Sequence, residues 1–337
     1  MNKRVLAIIF SLLAAILYAI NIPFSKLLLN NIEPTMMASF LYLGAGLGVS
    51  ILFLLTKNNK ETENEKYTKK DIKYVILMIV LDIIAPILLM FGLITSTSSS
   101  ASLLNNFEIV CTSIIALIIF KEIISKKMWF AILLITLSSF VLSFEDISSF
   151  RFSFGSILVI LATLCWGFEN NCTRNLSSKN TYSVVILKGF FSGLGSLIVA
   201  LLLKESFPHI KYILLAMLLG FIAYGLSIFF YIKSQGIIGA SKTSAYYSIA
   251  PFIGSFFSFV IFKEELTLTY FIGLFIMIIG TIIVVIDTLE NKHKHVHKHE
   301  IKYINEGITY TKIIKHEHEH SHYFKEDNHT HKHNIVN

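Results

Sequence analysis

Charge is what this chain has least of. Asp, Glu, Lys and Arg make up 15% of its 337 residues, against 54% hydrophobic residues; soluble domains carry about 25% charge. So few polar side chains cannot coat a soluble enzyme of this length, and they also exclude a disordered regulator. Cysteine is scarce too: Cys111, Cys165 and Cys172 all fall inside apolar runs, which excludes a disulfide framework. Histidine is missing from the apolar runs, since His209 is the one histidine before residue 290. No nucleophile–base pairing, phosphate loop or metal motif occurs in the runs, so the chain reads as a non-enzyme that requires no cofactor.

What is there instead is a succession of apolar runs close to the roughly 20 residues that span a bilayer. They predict an all-α membrane protein with ten transmembrane helices, roughly 5–25, 34–55, 74–94, 100–120, 128–144, 154–174, 182–203, 210–232, 240–262 and 268–287. The first run follows Met1-Asn2-Lys3-Arg4 and extends from Val5 to Ile22. It is too long for a signal-peptide core and reads as an uncleaved helix. With the N-terminus in the cytoplasm, 15 Lys and Arg before residue 288 fall on cytoplasmic segments and five outside. That bias sets the orientation and places both termini in the cytoplasm. The net charge of +7 therefore marks topology, not nucleic acid.

The sequence repeats itself. Leu13-Ala14, Tyr18, Lys26 and Leu28 align with Leu161-Ala162, Trp166, Arg174 and Leu176, and Ile119-Phe120-Lys121-Glu122 recurs as Ile261-Phe262-Lys263-Glu264. Two halves, 1–145 and 146–287, each hold five spans, an odd number, so the second enters the membrane inverted relative to the first. Inverted repeats are a transporter device that places the substrate site at the repeat interface; duplication in a passive channel or scaffold gives the same pattern. The two five-span halves, the Trp166-Gly167 step, Ala250-Pro251-Phe252 and the Phe262-Lys263-Glu264 end resemble the drug/metabolite transporter superfamily, EamA type, over about residues 5–287. The first half departs from the pattern, with Ile109 where Pro251 stands in the second. The resemblance implies a secondary transporter of the bacterial cytoplasmic membrane that moves a small metabolite, such as an amino acid or related compound, by alternating access.

An ionisable side chain at the bilayer centre costs about 2.5–3.5 kcal/mol on insertion scales, so each needs a partner or a role. Glu108 is the first candidate. Asn105, Glu108 and Thr112 share one face of a continuous helix, a strip suited to a ligand ammonium or a proton; a packing carboxyl is the plain alternative. Glu169 and Asn170 follow Trp166, and the repeat sets Asn21 opposite Glu169. Glu169 is either a site carboxylate or the partner of Arg174 or Lys188. Asp82 precedes Pro86 by one turn and is either a coupling group or the counter-charge of Lys188. Tyr246 and Tyr247 offer an aromatic wall with a hydroxyl, whereas the serines of span nine, Ser244 to Ser258, read as helix packing.

Beyond Asp287 the composition changes. Residues 288–337 form a cytoplasmic His-rich tail, with alternating His293, His295, His297 and His299, then His316, His318, His320 and His322, then His329, His331 and His333. Imidazole suits zinc, nickel, cobalt or copper, and the alternation predicts weak, exchanging occupancy on a segment without fixed structure. The tail leaves open a divalent-metal transporter, a metal-regulated carrier and a non-transporting membrane metal sensor.

Overall fold

The computed structural model describes residues 3–56, 67–120, 124–146, 151–176, 179–238, 243, 246–289, 291–305 and 308–322. Contacts divide the chain into two units, Met1–Val285 and Ile286–Asn337.

The first unit is helical, apart from a short pairing of Phe144–Asp146 with Arg151–Phe152. Its helices are α1 (Lys3–Ala19), α2 (Asn21–Leu28), α3 (Pro34–Thr56), α4 (Ile72–Thr95), α5 (Ser98–Leu104), α6 (Phe107–Phe120), α7 (Lys126–Leu142), α8 (Phe154–Asn175), α9 (Thr181–Leu187), α10 (Gly193–Leu202), α11 (Ile210–Gly220), α12 (Ser227–Ile238), α13 (Ala250–Phe262) and α14 (Leu268–Leu289). Among the described residues, seven helical runs are long and apolar enough to cross a membrane, and Ala250–Phe262 is a shorter apolar one. Two runs expected to span, α7 and α8, are not among the seven. α7 has only 17 residues, and α8 turns polar from Glu169 to Asn175.

The boundaries follow local chemistry. Thr97, Ser125, Ser153 and Asn180 each accept a bond from the backbone N–H three residues on, which caps α5, α7, α8 and α9. Two glutamates do the same work from a distance. Glu205 accepts from the N–H groups of Thr35 and Met36 at 3.1 and 2.7 Å, and Glu264 from those of Ser98 and Ser99 at 2.7 and 2.9 Å. Each carboxylate satisfies donors that the first turn of a helix leaves unpaired. Both clamps lie at one end of the bundle, on the connections after α10 and after α13. At the same end the Lys26 ammonium donates to the Ser96 carbonyl, and Glu33 accepts from the N–H and hydroxyl of Ser206 at 2.9 and 2.6 Å. The Ser206 hydroxyl, then its N–H, hold the Glu33 carboxyl below the usual carboxylate range.

Helices of the two halves pack mainly on each other: α1 along α12, α4 and α6 along α8, α3 against α10 and α11, and α5 against α13. Buried hydroxyls stitch these contacts, with Ser11 to Ser234 at 2.7 Å and Ser98 to Ser258 at 2.8 Å. In span nine, Ser255 bonds the Tyr270 hydroxyl of α14 at 2.5 Å, and Ser258 also donates to the Gly254 carbonyl of its own helix at 2.8 Å; Ser244 lies outside the described residues. Large apolar side chains such as Leu55, Ile118, Leu133, Leu202 and Phe275 point outward, the surface a hydrocarbon solvent requires.

In the second unit, Asn291–Asn305 and Ile308–His322 pair as antiparallel strands, with His293 opposite His320, His295 opposite His318 and His297 opposite His316. Ile301, Tyr303 and Ile304 on one strand and Ile308, Tyr310, Ile313 and Ile314 on the other are β-branched and aromatic residues, which favour strands over coil. His329, His331 and His333 lie outside the described residues.

Candidate functional site

Five helical runs lose their regular α geometry part-way along. α1 gives way to α2 at Ile20, and α5 to α6 at Asn105-Asn106. Lys188–Ser192 and Phe221–Leu226 are π-helical, and a turn at Ser248-Ile249 precedes α13. The last break has a local cause, since Pro251 lacks an N–H and suits the first turn of a helix. π-Helical turns inside α-helices are rare and concentrate at functional sites, and broken helices supply binding sites in inverted-repeat carriers.

The breaks surround a cavity of about 70 Å³, lined by Tyr18, Tyr42, Asp82, Glu108, Trp166, Glu169, Asn170, Thr173, Lys188, Tyr224, Ile228, Tyr231, Ile232 and Tyr247. A water needs about 10–15 Å³ of such volume, so the cavity has room for roughly five. Its polar floor is a buried ion triad. The Lys188 ammonium lies 3.1 Å from Asp82 Oδ2 and 2.9 Å from Glu169 Oε1. Tyr42 donates its hydroxyl to Asp82 Oδ1 at 2.8 Å, and the Thr173 hydroxyl donates to Glu169 Oε1. Burying ions is costly unless they are paired and hydrogen-bonded, and here each carboxylate has both kinds of partner. Glu108 stands apart from the triad and accepts from the Asn170 amide at 2.5 Å on Oε1. Asn170 also donates to the Thr112 hydroxyl at 3.4 Å.

The roof is aromatic. Ring centroids lie 5.9 Å apart for Tyr18 and Tyr224, 5.7 Å for Tyr18 and Tyr247, 5.0 Å for Tyr42 and Tyr224, and 5.0 Å for Tyr231 and Tyr247. Behind it, Asn21 donates its amide to the Tyr224 hydroxyl at 3.1 Å and accepts from Ser25 at 3.0 Å. Asn21 is the repeat counterpart of Glu169 and supports the wall without lining it.

Of the residues singled out from the sequence, the structure brings Asp82, Glu108, Glu169, Asn170 and Tyr247 to this one cavity. Asn105 and Tyr246 do not line it. A turn interrupts the helix at Asn105-Asn106, and the Asn105 amide donates to the hydroxyl of Tyr18, a wall residue, at 3.3 Å. Glu169 pairs with Lys188, and Asp82 with the same lysine, so the counter-charge alternatives describe the geometry. Tyr42, Tyr224, Tyr231 and Thr173 were not signalled as site residues. Tyr224-Gly225 repeats the aromatic–Gly step of Trp166-Gly167, which is the one cue the sequence offered. The tail histidines lie in the other unit, and among the described residues no group of three or more His, Cys, Asp or Glu side chains is arranged to hold a metal.

A second, hydroxyl-rich cavity of about 200 Å³ lies beside the Glu264 clamp, lined by Ser96, Thr97, Ser100, Ser153, Ser156, Thr267 and Tyr270 among others. It contains none of the buried ions.

Known proteins resemble the chain along most of its length. The model of the EamA-like transporter family matches residues 5–144 and again 153–286. An uncharacterized transporter of Methanothermobacter thermautotrophicus is 24% identical over 298 residues, covering 83% of this chain and 86% of the relative. The uncharacterized transporter YyaM of Bacillus subtilis is 25% identical over 252 residues, covering 70% and 80%. A solved crystal structure at 12% identity superposes with a TM-score of 0.62 over 84% of this chain and 96% of its own, so it shares the fold. With both halves of the helical unit matched separately, the chain belongs to the EamA-like transporter family and is a membrane transporter.

Proposed function

We propose that this chain is a secondary active transporter that carries a small metabolite across the bacterial cytoplasmic membrane by alternating access. In this reading all ten helical runs cross the bilayer as two inverted five-helix halves, 1–145 and 146–287, with both termini cytoplasmic. The observation that carries it is the cavity: both halves contribute ionisable and aromatic groups to it, and it sits where five helical runs are broken or π-wound. Polar groups so costly in a bilayer need a use, and contact with a translocated solute gives them one. The end holding the Glu205 and Glu264 clamps is then the outer face, held shut, and the cavity lies toward the cytoplasmic ends of α8 and α12. The two halves rock so that the clamps release as the cytoplasmic side closes.

Glu108 is the group we assign to substrate or proton contact. It lines the cavity, and among the described residues its carboxylate accepts from the neutral Asn170 amide and has no ion-pair partner. Glu169 and Asp82 hold Lys188, and Asn170 orients Glu108. The experiment is flux in proteoliposomes: Glu108→Gln is expected to lower transport by at least tenfold and to flatten its dependence on pH. Wild-type flux with an unchanged pH profile would remove Glu108 from the mechanism. For the tail we propose weak, exchanging divalent-metal binding without a part in the translocation path, supported by the alternating histidines and by three positions where the strand register sets histidine against histidine.

A further inference from the structure

We infer that the solute taken by the central cavity is a small organic cation, an amine or quaternary ammonium, in preference to an anion or a zwitterion. The inference rests on the cavity being the transport site and adds the chemical class of its solute. Among the described residues, the charged side chains that line the cavity are three carboxylates, Asp82, Glu108 and Glu169, and one ammonium, that of Lys188. With all four ionised the cavity carries two negative charges in excess. Lys188 is committed to Asp82 and Glu169 at 3.1 and 2.9 Å, so among the described lining residues an incoming carboxylate finds no uncommitted cation. It would also share the cavity with a net negative charge in a medium of dielectric lower than water, where Coulomb terms are larger. An ammonium meets the reverse situation, because it supplies charge that the site lacks.

The walls agree with the charge. Tyr18, Tyr42, Trp166, Tyr224, Tyr231 and Tyr247 ring the same space, with centroids 5.0 to 5.9 Å apart in the tilted and edge-on contacts between the tyrosines. The faces of tyrosine and tryptophan attract a cation within about 6 Å, and aromatic cages of this kind suit alkylammonium groups, which carry their charge on an apolar surface. Glu108 supplies the counter-charge at the edge of the cage: its Oε1 is held at 2.5 Å by the neutral Asn170 amide. A cavity of about 70 Å³ favours a compact head group.

The test uses the full chain with Trp129→Phe, which leaves Trp166 in the cavity wall as the one tryptophan. Its fluorescence is titrated at pH 7 with four probes of similar size: butylamine, tetramethylammonium, 1-butanol and butyrate. The expected result is a saturable response to butylamine or tetramethylammonium, at least tenfold tighter than to 1-butanol, with none to butyrate. In Glu108→Gln that preference for the cation should shrink at least threefold. A response to butyrate or 1-butanol equal to that of the cations, or no saturable response to any probe, overturns the inference. Flux separates this from the transport reading. Cation binding without proteoliposome flux of labelled butylamine would sink transport and leave the site's selectivity standing. Flux of an anion or neutral metabolite would do the opposite.

Discussion

Lys188→Met should be among the most damaging single substitutions in the helical unit. Lys188 is the shared cation of Asp82 and Glu169, and the side chains of all three are at most 5% exposed. Removing one partner of a buried ion pair costs about 3–5 kcal/mol, because the other charge is left without compensation, and here two carboxylates are stranded. Purified Lys188→Met is expected to unfold at a markedly lower temperature than wild type and to lose transport. The same logic predicts a rescue. Lys188→Met combined with Asp82→Asn and Glu169→Gln removes every charge of the triad, so stability should return most of the way while transport stays lost. If Lys188→Met keeps wild-type stability, the triad does not hold the cavity together. If the triple variant transports, the triad belongs to packing and not to the site.

The second large effect concerns a helix crossing beside that lysine. A Cβ at Gly189 would fall 2.3 and 2.4 Å from the N and Cα of Gly46, closer than backbone permits, and a Cβ at Gly46 would meet Phe190 N at 3.0 Å. The two glycines let α3 and the π-helical segment approach backbone to backbone, the small-residue contact that membrane helices use where no hydrophobic effect drives them together. Gly189→Leu must push the helices apart and carry Lys188 with it. Overpacking costs about 1–3 kcal/mol in soluble cores, and the displaced triad adds to it. We expect a lower unfolding temperature and loss of flux. Gly236 in α12 is the control, since a Cβ there meets nothing within 4 Å. Gly236→Ala should leave transport intact and raise stability by up to about 1 kcal/mol through helix propensity alone. Equal effects of the two substitutions would refute the crossing as their cause.

Much of this arrangement was legible in the residues. Apolar runs and charged breaks showed a helical membrane protein, and the repeat with its Trp166-Gly167 and Phe262-Lys263-Glu264 motifs carried the resemblance to the family. The rarity of acids at depth singled out Asp82, Glu108 and Glu169, because in a bilayer such residues are expensive enough to stand out. What was not legible came from departures from regular helix. Placing Asn105 and Glu108 on one face assumed an unbroken helix, and the turn at Asn105-Asn106 cancels that assumption. Tyr224 lies in a π-helical turn, where the extra residue rotates every later side chain off the 3.6-residue wheel, so its place in the wall is invisible to periodicity. Tyr42 sits on a helix whose residues are apolar on nearly all sides, and nothing local distinguishes the face that meets Asp82. Nothing in the sequence set Glu205 apart, and Glu264 stood out only as the end of a repeated motif; tertiary structure shows that they cap helices more than 160 positions away.

The central claim is that one cavity is reached in turn from both sides of the membrane. Ile228 lines it and belongs to neither the ion triad nor the Glu108 pair. A single cysteine at Ile228, in a chain with Cys111, Cys165 and Cys172 replaced by alanine, can be challenged in sealed vesicles with a membrane-impermeant maleimide added to one side or the other. The account predicts reaction from either side, with the balance shifted by the ion gradient. Reaction from one side only, whatever gradient is imposed, would contradict it.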